Sequence, residues 1–453
     1  MRSDVIAAVA TGTAPSAIGI LRLSGAGCAE VAGKIFTLKS GVPLREAPNR
    51  KLMLGLLHDR QGRVIDAALA VYCRAPHSYT GENTAELQCH GSPTVLRAAL
   101  DELFALGTRQ AAPGEFTKRA FLNGRMELCA AEAVADIIDA ETVECAKNAA
   151  GQLSGAISRK VDGIYSALTD ISSHYHAVLD YPDEDIEDFQ LESYEGSLTS
   201  ALTELERLLQ SHERGKLMTG GIPAAIAGRP NAGKSSLLNA LLGYDRAIVT
   251  AIPGTTRDTI EEKLRIGRLT LRLIDTAGIR DTDDEVERLG VERSRAAMSK
   301  AELVIAVVDG SGEITDEDRE VIAQAEAAPK GIVVLSKRDI AEPDAEITTA
   351  LPVVSLSSVT GDGMDELERV IAEQFPLPEV PAGEILTNVR QADAVKRAIE
   401  YMRSALDAMR AGMTPDIVLT ETEGAMSALG ELSGRTVRED VTNRIFQRFC
   451  VGK

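Results

Sequence analysis

Short apolar runs alternate with polar and glycine-rich turns along the first quarter of the chain. Strand-length runs cover residues 5–10, 17–23 and 67–73, and a helical spacing of apolar positions covers 94–106. Strand-length runs bounded by turn residues, combined with a helical pattern, are typical of an α/β fold. Residues 1–125 are therefore predicted to form a mixed α/β domain.

Helical patterns flank a different pattern in the middle of the chain. From 126 to 216 the composition shifts to Ala, Leu, Glu and Ser with a 3.6-residue period, and helical spacing returns from 386 to 453. Gly215, Gly220 and Gly221 predict a linker into the middle part. The predicted domains are 1–125, 126–216, 217–378 and 379–453. The simplest architecture joins the two helical stretches in one domain with the middle part inserted in it; two separate helical domains are the alternative.

Strand-like and helical stretches alternate in the middle domain. The strand-like runs are 224–227, 260–266, 269–274, 303–308, 331–335 and 353–355. Helical stretches start at 235 and cover 287–300, 315–327 and 363–374. Strands that alternate with helices imply a largely parallel sheet with helices on both faces.

The first strand of this domain runs into a glycine turn and then a helical spacing. Gly228, Gly233, Lys234 and Ser235 fit the pattern G-x-x-x-x-G-K-[ST] in its strand–loop–helix context. Glycines let backbone N–H groups turn inward around a polyphosphate, and the helix N-terminus adds its positive dipole end. Lys234 is placed to reach the β- and γ-phosphates, and the Ser235 hydroxyl to ligate Mg²⁺. The pattern predicts a nucleotide site rather than a chance glycine turn.

Four short motifs follow in the order expected of a GTPase: Gly254-Thr-Thr-Arg-Asp258, Asp275-Thr-Ala-Gly278, Ser336-Lys-Arg-Asp339 and Ser357-Ser-Val359. In P-loop NTPases an Asp after a strand serves the Mg²⁺ side, and a nearby glycine senses the γ-phosphate. The Asp339 carboxylate can accept hydrogen bonds from guanine N1 and N2, which selects guanine over adenine. Together the motifs predict a GTPase; an ATPase or an inactive P-loop fold is the alternative.

One position bears on how GTP would be hydrolysed. Many small GTPases carry a water-orienting Gln directly after Asp-x-x-Gly, but this chain has Ile279, which cannot orient water. Hydrolysis must therefore recruit another polar residue and another source of positive charge for the transition state. Glu285 and Glu287 lie on the segment that follows, where an exposed helix start is the alternative interpretation.

Charge and cysteine content narrow the class of protein. The 453 residues include 49 basic and 68 acidic side chains, a net charge of −19. This balance argues against a protein that coats nucleic acid without specificity, so an RNA contact would need a local basic patch or a partner. The six cysteines include no C-x-x-C pair, which argues against a zinc site or a disulfide framework. Without a signal peptide or a membrane-length apolar run, we expect a soluble, cytoplasmic protein.

Four further stretches are distinctive: Ser78-Tyr-Thr-Gly-Glu82, Arg119-Ala-Phe-Leu-Asn-Gly-Arg125 with Ala131-Glu-Ala133, Asp283-Asp-Glu-Val-Glu-Arg-Leu-Gly290, and Phe449-Cys-Val-Gly-Lys453. By composition alone the first two are polar loops. With the P-loop motifs, which also occur in close form in the Era and Der ribosome-assembly GTPases, they make the whole chain resemble the MnmE (TrmE) family. That resemblance implies a multi-domain fold: an N-terminal folate-binding-like α/β domain, an all-α helical domain and an inserted Ras-like P-loop GTPase domain.

The resemblance implies a set of nucleotide and ion contacts. GTP would be bound by Asn231, Ala232, Gly233, Lys234, Ser235, Ser236, Thr250, Ala251, Ile252, Pro253, Gly254, Thr255, Thr256, Asp275, Thr276, Ala277, Gly278, Ser336, Lys337, Arg338, Asp339, Ser357, Ser358 and Val359. Mg²⁺ would be ligated by Ser235 and Thr256, and K⁺ by Asn231, Thr250, Ile252 and Thr255. The K⁺ ion would take the place of an arginine finger once two G domains dimerise across the nucleotides. Lys234 and Glu287 would be catalytic, Glu287 positioning the attacking water through a bridging one.

The resemblance also implies chemistry outside the GTPase domain. The N-terminal domain would bind a tetrahydrofolate derivative (5-formyl- or methylene-tetrahydrofolate) through Arg22, Glu86, Arg125 and Lys453, since guanidinium groups pair bidentately with carboxylates. Cys450 would take part most directly in the modification. Family members are homodimers through the N-terminal domain and act on tRNA with MnmG, which supplies FAD. Neither a membrane nor DNA is an expected partner.

Three features depart from the family pattern. Ser336 replaces the usual Asn of Asn-Lys-x-Asp, which removes an amide that contacts guanine and braces the P-loop. Residues 12–17 stand where many members have a Gly/Arg-rich run, which weakens the expectation of folate contacts there. Arg125 stands where Lys is common. None of these changes removes a reacting group.

The main hypothesis is an enzyme, a K⁺-stimulated GTPase whose G domains open and close in a cycle that drives tRNA modification. With MnmG it would install an aminomethyl or carboxymethylaminomethyl group at C5 of the anticodon wobble uridine. The rival hypothesis is an assembly switch of the Era/Der kind with no part in covalent modification. Against the rival, the sequence has no second P-loop and no KH-type G-x-x-G element with basic flanks after the G domain.

Overall fold

The computed structural model of the chain describes residues 4–180, 191–244, 262–274, 298–340, 347–376, 381–436, 439–447 and 449–452. The chain divides into two compact units. One consists of Met1–Ala135, Gln152–Thr199 and Arg397–Lys453, and the other of Asp136–Gly151 and Ser200–Lys396. Among the described residues, the first unit contains a seven-stranded sheet and the second a six-stranded sheet.

Helices account for much of both units. In chain order they are α1 (Cys28–Ala32), α2 (Pro93–Ala105), α3 (Glu115–Leu122), α4 (Leu128–Ile138), α5 (Val143–Leu153), α6 (Ala156–Asp180), α7 (Leu191–Gly220), α8 (Lys234–Tyr244), α9 (Asp316–Glu326), α10 (Met364–Gln374), α11 (Val389–Arg410), α12 (Pro415–Ser433) and α13 (Glu439–Phe446). The predicted helical character before and after the middle of the chain is confirmed. Over the described residues, no helix is both long and apolar enough to cross a membrane.

The predicted linker at Gly215 is wrong, because α7 continues through this position to Gly220. A Cβ atom at Gly215 would lie 1.9 Å from the carbonyl oxygen of Leu386. The glycine is therefore needed for close approach of a neighbouring backbone and not for a turn. The turn out of the helix comes at Gly221, whose φ is 73°.

The sheet of the first unit has the order β3-β4-β5-β6-β2-β1-β7. Its strands are β1 (Ile6–Val9), β2 (Ser16–Ser24), β3 (Phe36–Leu38), β4 (Met53–His58), β5 (Val64–Cys73), β6 (Thr84–Gly91) and β7 (Arg109–Gln110). Neighbours are antiparallel except β1 and β7, which are parallel. One face forms a core with α1 and α2.

Strands β1, β2 and β5 and helix α2 confirm predictions from the hydrophobic pattern, whereas the other strands of this sheet were not predicted. The sequence of β6 alternates strictly between polar and apolar residues, and its apolar members Ala85, Leu87 and Cys89 are buried. A period of two is the signal of a strand with one buried face. That signal was present in the sequence and could have predicted β6.

The sheet of the second unit has the order β13-β12-β11-β8-β10-β9. Its strands are β8 (Ile222–Ala227), β9 (Glu262–Ile266), β10 (Leu269–Leu273), β11 (Leu303–Asp309), β12 (Lys330–Ser336) and β13 (Val353–Ser355). All neighbours are parallel except β9 and β10. Helices α8 and α10 form the core on one face and α9 on the other, which confirms the predicted sheet wound on both faces. Most of the helix predicted at 287–300 lies outside the described residues.

Candidate nucleotide-binding site

The P-loop connects the buried strand β8 to helix α8. Gly228 follows β8 where no side chain fits, because a Cβ atom there would lie 2.4 Å from the Val307 carbonyl oxygen. Asn231 and Gly233 are left-handed, with φ of 61° and 99°. These conformations turn the loop back toward the start of α8, where backbone N–H groups and a helix N-terminus can bind an anion together.

Lys234 opens α8, and its ammonium group lies over the P-loop. Nζ donates hydrogen bonds to the carbonyl oxygens of Gly228 and Arg229 at 2.8 and 2.9 Å. Burial lowers the pKa of Lys234, because the charged form loses part of its hydration. A half-buried cation held by neutral carbonyl dipoles is strongly attracted to a polyphosphate, as the P-loop role requires.

Ser336 closes the other side of the P-loop. It ends β12 and is 2% exposed. Its hydroxyl donates to the Ala232 carbonyl oxygen at 2.6 Å, and a Cβ atom on Gly233 would lie 3.2 Å from Ser336 Oγ. The expectation that serine removes the P-loop brace is therefore wrong. The strand end and the loop approach closely enough for the shorter side chain to span the gap.

The residues predicted to contact guanine meet at the ends of β12 and β13. The Ser357 hydroxyl donates to Asp339 Oδ1 at 2.7 Å and accepts the backbone N–H groups of Val359 and Thr360 at 3.2 Å. Ser357 is fully buried, whereas Asp339 is exposed. The serine fixes the orientation of the carboxylate, so that its second oxygen is available to the donor groups of a base.

A charge network near both ends of this site was missed by sequence reasoning. Arg229 of the P-loop donates to Asp318 at 3.2 Å and lies 3.8 Å from Asp309 Oδ2, which also lies 2.6 Å from Lys337 Nζ. Asp318 is 1% exposed and forms a capping box with Thr315 at the start of α9. Burial raises the pKa of Asp309, but the hydrogen bonds it accepts, first that of Lys337, outweigh burial and lower it to about 2. The carboxylate is therefore ionised at neutral pH and ties the P-loop to the Ser336–Asp339 motif.

Three stretches of the predicted GTP contacts thus lie on one edge of the sheet. Asn231 to Ser236 follow β8, and Ser336 to Asp339 and Ser357 to Val359 follow β12 and β13. The carboxyl ends of parallel strands share an edge, which is where α/β folds bind ligands. The remaining predicted GTP, Mg²⁺, K⁺ and water-positioning residues lie outside the described residues: Thr250, Ala251, Ile252, Pro253, Gly254, Thr255, Thr256, Asp275, Thr276, Ala277, Gly278 and Glu287.

Three of the four residues predicted to bind a folate lie in the described part of the chain. Arg22 Nε donates to Glu86 Oε1 at 2.8 Å, and its guanidinium lies 5.3 Å from the centre of the Tyr79 ring. Arg125 is exposed and lines a cavity of about 730 Å³. Within the described part of the chain, neither Arg22 nor Glu86 lines that cavity. Lys453 lies outside the described residues.

Two of the distinctive sequence stretches pack against each other. The Arg119 guanidinium lies 2.9 Å from Glu82, and the Asn123 side chain donates to the Thr80 carbonyl oxygen at 2.7 Å. Gly81, with φ of 79°, packs against Asn123 and Arg125. The second stretch is not simply a polar loop, because its first four residues form the end of helix α3, where Ala120 is buried. These residue types are therefore required for a tertiary contact inside the first unit.

Cys450 lies in a short segment that docks on the N-terminal sheet of its own unit. Its carbonyl oxygen accepts the Gly114 N–H at 3.3 Å, and Val451 forms an antiparallel bridge with Pro113. Gly452, with φ of 100°, lies against the end of β1, where a Cβ atom would be 2.1 Å from the Val9 carbonyl oxygen. The backbone of this segment is fixed while the Cys450 side chain is exposed.

The comparisons with known proteins agree over the whole chain. Residues 5–125 match the family model described as the GTP-binding protein TrmE N-terminus, and residues 128–450 match the MnmE helical domain. The tRNA modification GTPase MnmE of Roseiflexus sp. strain RS-1 is 42% identical over 468 residues, 99% of each chain. That of Symbiobacterium thermophilum is 41% identical over 462 residues, 100% of each chain.

Solved structures match parts of the chain. The G domain of the FeoB iron transporter of T. maritima is 30% identical over 34% of this chain and 98% of that chain, with a TM-score of 0.25. Era of Aquifex aeolicus is 25% identical over 40% of this chain and 66% of its own, with a TM-score of 0.26. Because two family models and full-length relatives above 40% identity cover the chain, this protein belongs to the MnmE family of tRNA modification GTPases and is a GTP hydrolase.

Proposed function

We propose that this protein is a K⁺-stimulated GTPase that modifies C5 of the wobble uridine of certain tRNAs in the cytoplasm, together with an FAD-containing partner of the MnmG kind. The observation that carries the GTPase part is the shared edge of the parallel sheet. There the P-loop, the Ser336 brace and the Asp339–Ser357 pair lie at the ends of β8, β12 and β13, which are parallel strands of one sheet. Such an edge can bind the phosphates and the guanine of one nucleotide.

At the phosphate end, residues of the chain bind and orient the nucleotide. Lys234 exchanges its two carbonyl partners for β- and γ-phosphate oxygens, and the P-loop N–H groups and α8 N-terminus neutralise further charge. Ser235, in the first turn of α8, would ligate Mg²⁺ together with Thr256. When bound, Mg²⁺ would neutralise the negative charge that develops on the phosphate oxygens during phosphoryl transfer. Asn231 is an exposed, left-handed residue of the P-loop, and its amide oxygen would serve as a K⁺ ligand.

Since Ile279 cannot orient water, we assign the positioning of the attacking water to Glu287 and the stabilising positive charge to K⁺. When two G domains meet, Asn231 would hold K⁺ together with Thr250, Ile252 and Thr255. The ion would then supply the positive charge that an arginine finger supplies in other GTPases. Exchanging KCl for NaCl at constant ionic strength is expected to slow GTP turnover about tenfold or more, because such a charge acts mainly in the transition state. Turnover is measured by phosphate release and GTP affinity by titration. Equal turnover in both salts, with unchanged affinity, would exclude this role of K⁺.

The N-terminal sheet supports a homodimer with a folate site. Leu54 and Leu56 of β4 are 44% and 36% exposed, on the face opposite the α1–α2 core. The register places Arg22 and Glu86 on that same face. An exposed apolar face on a sheet favours pairing with a second copy of the domain. We propose that the tetrahydrofolate derivative binds beside this face, with Arg22, Arg125 and Lys453 for carboxylates and Glu86 for donor groups.

The tRNA function is tested by mass spectrometry of nucleosides from bulk tRNA of cells that lack this protein. We expect the C5-substituted wobble uridines to disappear, and wild type but not Glu287→Ala or Cys450→Ser to restore them. Purified Cys450→Ser protein should retain GTP turnover, because the P-loop and Cys450 belong to different units. Unchanged nucleosides on deletion would contradict the tRNA role and leave a GTPase switch with another client.

A further inference from the structure

One end of the N-terminal sheet carries a group of basic side chains that no part of the proposed function uses. At this end of the sheet β3 and β5 end and β4 begins. The strand pairing shows this, because Leu38 pairs with Gly55 and Met53 pairs with Ala70. The group, which we call the basic edge, consists of Lys39, Arg45, Arg50, Lys51 and Arg74. All five residues are exposed.

The basic edge is positive in a strongly negative protein. The segments 39–51 and 72–77 contain five Lys and Arg residues against one carboxylate, Glu46, a local net charge of +4. The whole chain carries −19. An RNA backbone is repelled by the net charge at long range, so a contact with it requires a local surface of this kind.

Two arginines of the basic edge are fixed in place without losing their charge. Arg50 donates through both Nε and a terminal NH2 group to the His77 carbonyl oxygen, at 2.9 Å for Nε. Arg74 donates to the carbonyl oxygens of Arg45 and Ala47 at 3.1 and 3.0 Å and lies 5.3 Å from the centre of the Tyr72 ring. Carbonyl acceptors orient a guanidinium but do not neutralise it, unlike a carboxylate.

The opposite end of the same sheet provides a contrast. In the β4–β5 hairpin, Arg60 lies 2.6 Å from Glu102 and Arg63 lies 2.7 Å from Asp59. These guanidinium groups are paired with carboxylates, so their charge is compensated locally. At the basic edge, Arg45 lies 3.4 Å from Glu46, but Arg50 and Arg74 are oriented by neutral carbonyl groups and keep their charge uncompensated among the described residues.

We propose that the basic edge binds the phosphate backbone of the tRNA substrate. This inference rests on the proposed function, because the RNA is the polyanion on which the family acts. Phosphate oxygens are the acceptors that oriented guanidinium and ammonium groups bind most strongly, and they supply register without reading sequence. The contact accounts for RNA binding by a chain whose total charge opposes it.

The test compares two charge reversals of equal size in the full-length protein. Lys39→Glu with Lys51→Glu changes the basic edge, and these side chains make no hydrogen bond or ion pair within the described part of the chain. Arg60→Glu with Arg63→Glu is the control at the opposite end. Binding of an unmodified tRNA transcript is followed by fluorescence anisotropy from about 50 to 200 mM KCl, a range over which phosphate contacts weaken measurably. GTP turnover, measured in parallel, should be unchanged in both variants.

We expect the Lys39→Glu, Lys51→Glu protein to bind tRNA about tenfold or more weakly, with a salt slope smaller by about 1.4 to 1.8, the share of two phosphate contacts. The control should stay within about twofold of wild type, because its added negative charge lies at the opposite end of the sheet and salt screens it from the basic edge. Wild-type binding by the lysine variant would overturn the proposal and leave an acidic protein partner for this surface. An equal loss of tRNA affinity in both variants would overturn the proposal as well, because the loss would then reflect the change in total charge and not a specific surface.

Failure of this inference can be told from failure of the proposed function. If the isolated protein binds no tRNA but its deletion still removes the modified nucleosides, the partner carries the RNA contact. The proposed function then stands and the basic edge is not an RNA surface. If deletion leaves the nucleosides unchanged, the proposed function itself is wrong.

Discussion

Replacing Asp339 by Asn is expected to weaken GTP binding by about 100-fold, the loss of about 3 kcal/mol from two hydrogen bonds to a charged acceptor. The reason lies in the contact with Ser357. The serine hydroxyl already accepts two backbone N–H groups, so its own hydrogen points at Asp339 Oδ1. An asparagine would turn its oxygen toward that hydrogen and present its NH2 group to the base. Guanine offers donors at that place, whereas xanthine offers a carbonyl oxygen at position 2, so the variant should prefer XTP.

The measurement is titration of the full-length protein with GTP and XTP. The matched control is Asp362→Asn, an exposed carboxylate near the same site that accepts a hydrogen bond from Thr360 at 2.9 Å. It should bind GTP within about twofold of wild type, as most surface substitutions do. If Asp339→Asn keeps its GTP affinity and gains none for XTP, then Asp339 does not read the base.

The second large effect is expected from Gly452→Ala, at the docking point of the Cys450 segment. A Cβ atom there would lie 2.1 Å from the Val9 carbonyl oxygen, a contact that only displacement of the segment can relieve. Displacement moves the fixed backbone of Cys450, so we expect the modified wobble uridines to fall about tenfold or more, as for a misplaced catalytic group. GTP turnover should be unchanged, because the substitution lies outside the unit that contains the P-loop.

Gly107→Ala is the matched control for this change. Gly107 also has a positive φ, 93°, but a Cβ atom there meets no heavy atom within 4 Å. Both substitutions carry a similar backbone strain of about 1–2 kcal/mol, and they differ in the steric contact. The nucleosides are measured in the deletion strain complemented with each variant. Wild-type nucleoside levels with Gly452→Ala would show that the docked position of Cys450 is not needed for modification.

Local rules account for the parts of the GTPase site that the sequence predicted. The P-loop needs Gly228 and Gly233 where a side chain clashes or φ is positive, and Lys234 where the helix begins. These requirements involve neighbouring residues, so one stretch of sequence carries them. The same holds for β11, whose continuous apolar run marks a parallel strand buried on both faces.

Contacts between distant residues could not be predicted in this way. The Thr315-x-x-Asp318 spacing indicates a capping box, but the pairing of Asp318 with Arg229, 89 residues away, has no local signal. The same limit explains the error at Ser336. From the sequence, serine is a shorter side chain with one polar group fewer than asparagine. The contact with Ala232, 104 residues away, shows that the shorter side chain still reaches the loop.

The class of fold and the nucleotide could thus be predicted from the sequence, because periodicity, glycine geometry and motif spacing are short-range properties, and the family from the resemblance of its motifs. The folded structure determines which side chains meet. It pairs Glu82 with Arg119, joins Asp339 to Ser357, and places Gly452, two residues after Cys450, beside β1. It also placed the cations of the basic edge together while directing two of them to carbonyl groups. These contacts depend on how separate strands and helices pack, and that packing involves residues from distant parts of the chain.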